Sequence, residues 1–291
     1  MLGLDPDPAA LWPQAAPAAA ATAGPVHAAA AAVRAHCAAL IDAAAPACVA
    51  VKLQLARFEV LGSAGWSAMA DVAEHARAAG LLVIADGKRG DIDVSARAYA
   101  NALIDGAQTP FGRVPGLAAD LVTVNPLMGT DAIEPFLTSA RATGAGVLVL
   151  VRTSNAGASD VQDLRLQDGS AVWERIAELV NEMGAENVGA AGLSDVGAVV
   201  GATVPAHLAR ARELMPSAPF LLPGIGAQGG RVEDLAPAFL PGRAGGLLTA
   251  SRSIAGAHLA GGGSPADAAR TEAERLRDAA WALSAQAPAA R

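Results

Sequence analysis

Leu81-Leu82-Val83-Ile84-Ala85-Asp86-Gly87-Lys88-Arg89-Gly90-Asp91-Ile92 passes from an unbroken apolar run into a turn that crowds two acids and two bases into six residues. The run 81–85 is short and aliphatic and ends at a charged turn, which predicts a strand buried on both faces. The stretch that follows, near 94–104, has helical character. A buried strand, a polar turn and a helix make the first half of a unit in which parallel strands are joined by helical crossovers.

The same alternation recurs along the whole chain. Strand-like runs are expected at 1–4, 48–53, 81–85, 121–124, 147–151, 196–200, 220–222 and 246–249. Helices are expected near 26–44, 65–79, 94–104, 131–142, 171–182, 205–214, 231–239 and 265–283. Eight such units in 291 residues fit an α/β fold of the closed (β/α)8 type, a TIM barrel forming a single domain over 1–291. A doubly wound open sheet is the competing architecture, because periodicity does not report closure. Residues 105–120 and 154–170 are expected to be long loops, the second polar enough to act as a cover after strand five.

Composition removes several function classes. The chain is 53% hydrophobic and 17% charged, which excludes a disordered polymer. Its 28 acids against 21 bases leave a net charge of -7, and aromatics are only 3%, so nucleic-acid binding is not expected. Two cysteines, Cys37 and Cys48, suggest a reducing cytoplasm rather than a disulfide scaffold. Asp5 and Asp7 stand where a secretory leader would be basic, and Pro17 breaks the alanine run 15–23. No strongly apolar stretch of about 20 residues is apparent, so no membrane partner is expected. The five histidines form no HExxH pair and no zinc motif. GxSxG and P-loop signatures are lacking too.

The chemistry-bearing residues gather where strands end. In a barrel that end is the mouth, where catalytic groups collect. Asp86, Lys88 and Asp91 place an ammonium between carboxylates there, although a solvated salt-bridged turn would read the same. Lys52 interrupts the apolar run Cys48-Val49-Ala50-Val51-Lys52-Leu53, so it either needs an anionic partner, with Asp86 and Asp91 the natural ones, or snorkels out of the strand end. Pro223-Gly224-Ile225-Gly226-Ala227-Gln228-Gly229-Gly230 contains a literal GxGxxG, but no acid follows about 20 residues on to hold a ribose. A phosphate site in the loops after strands seven and eight suits it better, with Arg252 able to fork onto the same anion. Asp5, Asn125, Thr153, Ser154 and Asn155 also end strands, as mouth groups or as ordinary caps.

Together these residues resemble the orotidine 5′-phosphate decarboxylase family, in particular its longer bacterial branch. The carriers are Leu4-Asp5-Pro6-Asp7, Val51-Lys52-Leu53-Gln54, Asp86-Gly87-Lys88-Arg89-Gly90-Asp91-Ile92, Val122-Thr123-Val124-Asn125-Pro126, Thr153-Ser154-Asn155, Val199-Val200-Gly201-Ala202-Thr203, the 223–230 glycine string and Ser251-Arg252-Ser253. The resemblance implies decarboxylation of orotidine 5′-monophosphate to UMP without metal or cofactor. Lys52, Asp86, Lys88 and Asp91 match the charged tetrad, with Lys88 as proton donor. Asp5 and Lys52 match ribose-binding groups, Thr153 or Ser154 the reader of the pyrimidine edge, and Gln228 and Arg252 the phosphate grip. Asp91 and Ser95 match positions contributed across a homodimer interface.

Three departures stand out. The chain opens almost on strand one, where the family usually has a helix. Leu127 stands where relatives often carry an aromatic, and Gln54-Leu55-Ala56-Arg57 is less aromatic than usual. Competing functions are a Mg²⁺-dependent sugar-phosphate lyase or aldolase of the same superfamily, which carries an acid where Lys52 stands, a non-catalytic phosphate-binding barrel, and a dinucleotide oxidoreductase.

Overall fold

A computed structural model describes residues 1–202, 204–225, 229–240 and 242–285. The chain is an α/β protein. Its strands are β1 (Leu2–Leu4), β2 (Ala50–Gln54), β3 (Leu82–Arg89), β4 (Ala107–Thr109), β5 (Gly112–Val114), β6 (Leu121–Val124), β7 (Gly146–Arg152), β8 (Val196–Val200), β9 (Phe220–Leu222) and β10 (Gly246–Leu248). Eight of them form one parallel sheet in the order β1-β2-β3-β6-β7-β8-β9-β10, and β4 and β5 form a separate antiparallel pair. All eight strand-like runs in the sequence are thus sheet strands.

Two compact units make up the chain. One comprises Met1–Gly87 with Ala250–Arg277, and the other Lys88–Thr249 with the end of the chain from Asp278.

In the first unit, Leu2, Gly3 and Leu4 pair with Val51, Lys52 and Leu53, and Val51 and Leu53 pair in turn with Val83 and Ala85. Ala250 bridges Leu2 in parallel, and the Gly3 N–H donates to the Ala250 carbonyl at 2.8 Å. A Cβ on Gly3 would lie 2.8 Å from the Ser251 Cβ, so only glycine admits this approach. The helices Pro25–Ala44 and Gly62–Ala78 pack on one another, burying Val33, Cys37, Leu40 and Ile41 of one and Met69, Val72 and Ala73 of the other. By length and composition the segment Pro25–Ala47 would suffice to cross a bilayer, which qualifies the expectation from sequence, but half of it is buried within the protein.

The segment after β1 is more ordered than the sequence suggests. A 3-10 turn at Pro13–Ala15 leads into a short helix, Ala16–Ala20, and Pro17 sits in its first turn, where a missing N–H costs nothing. Trp12 is buried, edge-on to His36 at 5.4 Å and to His258 at 6.3 Å between ring centroids. Its backbone N–H donates to His36 Nδ1 at 3.0 Å and its indole N–H to the Ala255 carbonyl at 2.8 Å. Burial, reinforced by the neighbouring His258, pushes the His36 imidazole down to about 4.

In the second unit, β6 to β10 are predominantly apolar and mostly buried, as expected of parallel strands covered on both faces. Residues 105–120, expected as a loop, contain the β4–β5 hairpin. It lacks alternating apolar residues and is held instead by polar closure, the Thr109 hydroxyl donating to the Gly112 carbonyl at 2.7 Å and accepting from the Phe111 N–H at 3.1 Å. The expected 94–104 helix is α-helical over Asp93–Ala100 and widens to i→i+5 bonding over Asn101–Asp105. The expected 231–239 helix is a 3-10 segment, Val232–Phe239, because Pro237 lacks a donor and its ring would clash with an α-helical carbonyl.

Arg212, on the helix Pro205–Leu214, is buried, and among the described residues no carboxylate pairs with it. Its guanidinium donates to the carbonyls of Met215, Pro216, Ala218, Pro237, Ala238 and Gly245 and lies 3.7 Å over the Phe220 ring. It therefore ties the helix to β9 and to the segments entering β10. Burial pushes its pKa down to about 9.

Candidate active site

Lys52 lies in β2 with only 6% of its surface exposed. A lone ammonium in a buried strand needs compensation, and the first unit supplies it. Nζ donates to Asp86 Oδ2 at 2.6 Å and to Gln54 Oε1 at 3.1 Å, and Asp5 Oδ1 stands 3.7 Å away. Parallel register sets this up. Gln54 is the register partner of Asp86, and Lys52 pairs with Gly3 of β1 two residues before Asp5. The snorkelling alternative for Lys52 is excluded by its burial.

Asp5 Oδ1 is buried and accepts no hydrogen bond among the described residues. At 3.7 Å the Lys52 ammonium neutralises it without satisfying its lone pairs, so it is ready for an incoming O–H or N–H donor. Three oxygens (from Asp5, Asp86 and Gln54) around an ammonium are not a divalent-cation site, because Lys52 fills the space a cation would take and repels one. Among the described residues no group of three or more histidines, cysteines or acids is spaced to hold a metal. Arg252, also in this unit, is exposed at the start of the short helix Arg252–Ala255.

Lys88 opens the second unit and is exposed. Its φ of +47° is a left-handed conformation that L side chains seldom adopt. Its N–H donates at 2.9 Å to the hydroxyl of Thr123, which is fully buried in β6. One step on, the Asn125 N–H donates to the Arg89 carbonyl at 2.7 Å. Asp93 shares the unusual geometry at φ +48°, so the turn 88–93 is bounded by two such residues. Asp91, partly exposed, accepts the Ile92 N–H at 2.8 Å, and Ser95 lies in the first turn of the Asp93–Ala100 helix. The Asn125 side chain accepts the Leu127 N–H at 3.0 Å, an Asx turn, so its sequence-expected alternative as a turn residue is the geometry present.

At the end of β7, Thr153 and Gln162 bond reciprocally: the Thr153 N–H donates to Gln162 Oε1 at 2.9 Å, and Gln162 Nε2 donates to the Thr153 hydroxyl at 3.0 Å. Arg152 forks onto Asp163 with two 2.8 Å bonds, and this pairing holds the Asp163 carboxyl below the usual range. These two clasps fix the base of the 154–170 segment. Ser154 sits against Gly201, where a Cβ would come within 3.0 Å of it. In the glycine string, Gly224 and Gly229 have φ of +104° and +85°, and the Gly230 N–H closes onto the Gly224 carbonyl at 3.0 Å. Gln228 lies outside the described residues.

Thr123, Gln162 and Asp163 went unassigned in the sequence. A hydroxyl in the run Leu121-Val122-Thr123-Val124 was the available signal for the first; nothing local marks the clasp residues, whose partners are about ten residues away.

The sequence model of the family described as orotidine 5′-phosphate decarboxylase / HUMPS matches residues 2–271. The chain is 43% identical over 232 residues to the orotidine 5′-phosphate decarboxylase of Rhodopirellula baltica, covering 79% of this chain and 74% of that protein. It is 44% identical over 240 residues to the one from Deinococcus radiodurans, covering 82% and 81%. Among solved structures, Leishmania donovani OMP decarboxylase superposes with a TM-score of 0.71 at 32% identity, over 96% of this chain and 93% of that one.

Proposed function

The chain belongs to the orotidine 5′-phosphate decarboxylase / HUMPS family, and from that premise we propose how its own residues carry out the conversion of orotidine 5′-monophosphate to UMP and CO₂ in de novo pyrimidine biosynthesis. The observation that carries the reading is Lys52, buried at 2.6 Å from Asp86 and flanked by Asp5. A Mg²⁺-dependent sugar-phosphate lyase needs an acid at that position, and an ammonium there rejects the metal.

Loss of CO₂ from C6 of the pyrimidine leaves an electron pair with no conjugated sink. Fixed positive charge close to that carbon is the remaining means of stabilising it. Lys88 supplies that charge and then its proton, becoming neutral as the C6–H bond forms. Asp86 and Asp91 orient the ammonium groups, and Asp86 borders the departing carboxylate. Asp5 accepts from a ribose hydroxyl, for which its unmatched Oδ1 is suited. Thr153 or Ser154 reads the pyrimidine edge, held by the Gln162 clasp, and Asn125 borders it. Gln228 and Arg252 grip the phosphate, whose binding energy drives desolvation around a ring it does not touch.

In this reading the eight strands close into one (β/α)8 domain over 1–291, supported by the parallel bridge between Leu2 and Ala250. The enzyme works as a cytoplasmic homodimer, with Asp91 and Ser95 reaching across the interface. Ile92, Val94, Leu127 and Met128, exposed by 45–81%, are the apolar surface such an interface would cover.

Ultraviolet monitoring of orotidine 5′-monophosphate tests the function. Turnover is expected with and without EDTA, and Lys88→Ala is expected to lower it by at least about 10³-fold. Turnover that requires Mg²⁺, or survives loss of Lys88, would overturn the assignment.

A further inference from the structure

Lys88 is held in a conformation its own chemistry disfavours. A non-glycine residue at φ +47° persists only where its surroundings impose it. The Thr123 hydroxyl is one such constraint. It lies at zero exposure between Val122 and Val124, the kind of position where a strand normally carries an aliphatic side chain, and it accepts the Lys88 N–H at 2.9 Å. Valine at 123 would have the same shape and β propensity, so the hydroxyl is there for its oxygen.

We infer that Thr123 is a positioning residue: its hydroxyl fixes the backbone of Lys88 and thereby aims the ammonium. The inference rests on the proposed role of Lys88. Lys88 carries four rotatable side-chain bonds, so a small rotation at its backbone is magnified at Nζ. The Asn125–Arg89 bond fixes the carbonyl one residue beyond Lys88, and the Thr123 hydroxyl engages the N–H of Lys88 itself, so the two bonds grip the turn on either side of the Lys88 Cα. Thr123 is fully buried and acts through the Lys88 backbone, so its effect falls on turnover rather than on capture of the nucleotide.

Two substitutions separate the oxygen from the shape. Thr123→Val keeps the volume and removes the acceptor. Thr123→Ser keeps the acceptor and removes a methyl group. For Thr123→Val, kcat is expected to fall ~10–100-fold, the cost of misplacing a reacting group by about 1 Å, with KM within about threefold of wild type. Thr123→Ser is expected to recover most of the turnover, although its missing methyl makes it the less stable side chain in a buried strand. Amide hydrogen exchange at Lys88, which needs no turnover, is expected to quicken in Thr123→Val and to stay slow in Thr123→Ser. Equal exchange and equal kcat in Thr123→Val and wild type overturn the positioning role. A fall in KM-side affinity matching that in kcat also overturns it. If the wild-type protein fails to decarboxylate the nucleotide, the functional reading fails, while exchange at Lys88 still decides whether Thr123 holds the turn.

Discussion

Lys52 Nζ and Asp86 Oδ2 meet at 2.6 Å with 7% and 6% of their side chains exposed, so each is the condition for burying the other. Neighbouring parallel strands bring them together across 34 residues of sequence.

Removing one member of this pair strands a charge in the interior, which typically costs about 3–5 kcal/mol. Lys52→Met and Asp86→Leu are each expected to lower the denaturant midpoint sharply. The double substitution is expected to regain much of that stability while remaining inactive. A double variant as unstable as the singles would show that the pair is held by something other than mutual compensation.

Arg212 predicts a second stability effect, far from any chemistry. Arg212→Met leaves up to six carbonyls without their donor, an expected loss of at least about 3 kcal/mol. Arg212→Lys is expected to fall between, because an ammonium has three donors and no planar fork. Urea unfolding of the three proteins measures this, and equal midpoints for Met and Arg would refute it.

His36 makes stability fall in acid. Its folded value of about 4 lies below the free value of 6.5, so between them the unfolded chain holds the extra proton. The contribution is complete above pH 6.5 and is lost as pH drops toward 4, a change on the order of 3 kcal/mol. Unfolding midpoints measured from pH 7 to pH 4.5 are expected to decline more steeply in wild type than in His36→Asn. Parallel curves would remove His36 as the cause.

The two cysteines differ in reactivity for the same physical reason. Cys37 is fully buried, and desolvation, with the Asp5 carboxylate adding to it, raises its thiol well above the ordinary range. Cys48 is partly exposed. Iodoacetamide on the native protein, followed by peptide mass analysis, is expected to label Cys48 and spare Cys37. Labelling of Cys37 at a comparable rate would contradict this burial.

The strand positions were legible because a strand buried on both faces must be continuously apolar, and the runs at 121–124, 196–200 and 220–222 are found with those bounds. Lys52 and the 86–91 turn were legible because charge inside or directly after such a run demands an explanation. The Trp12–His36–His258 stack and the Arg212 cage were not, since each depends on partners far along the chain and no local pattern announces them.

What the sequence determined by itself was composition, alternation and the kinds of chemical group at the strand ends, all properties of neighbouring residues. Tertiary structure alone decided which charge faces which: that Lys52 pairs with Asp86, that Asp5 keeps an unmatched oxygen, and that Thr123 holds the Lys88 backbone. Hydrogen bonds and ion pairs act over about 3 Å, and only the folded chain brings residues tens of positions apart within that distance.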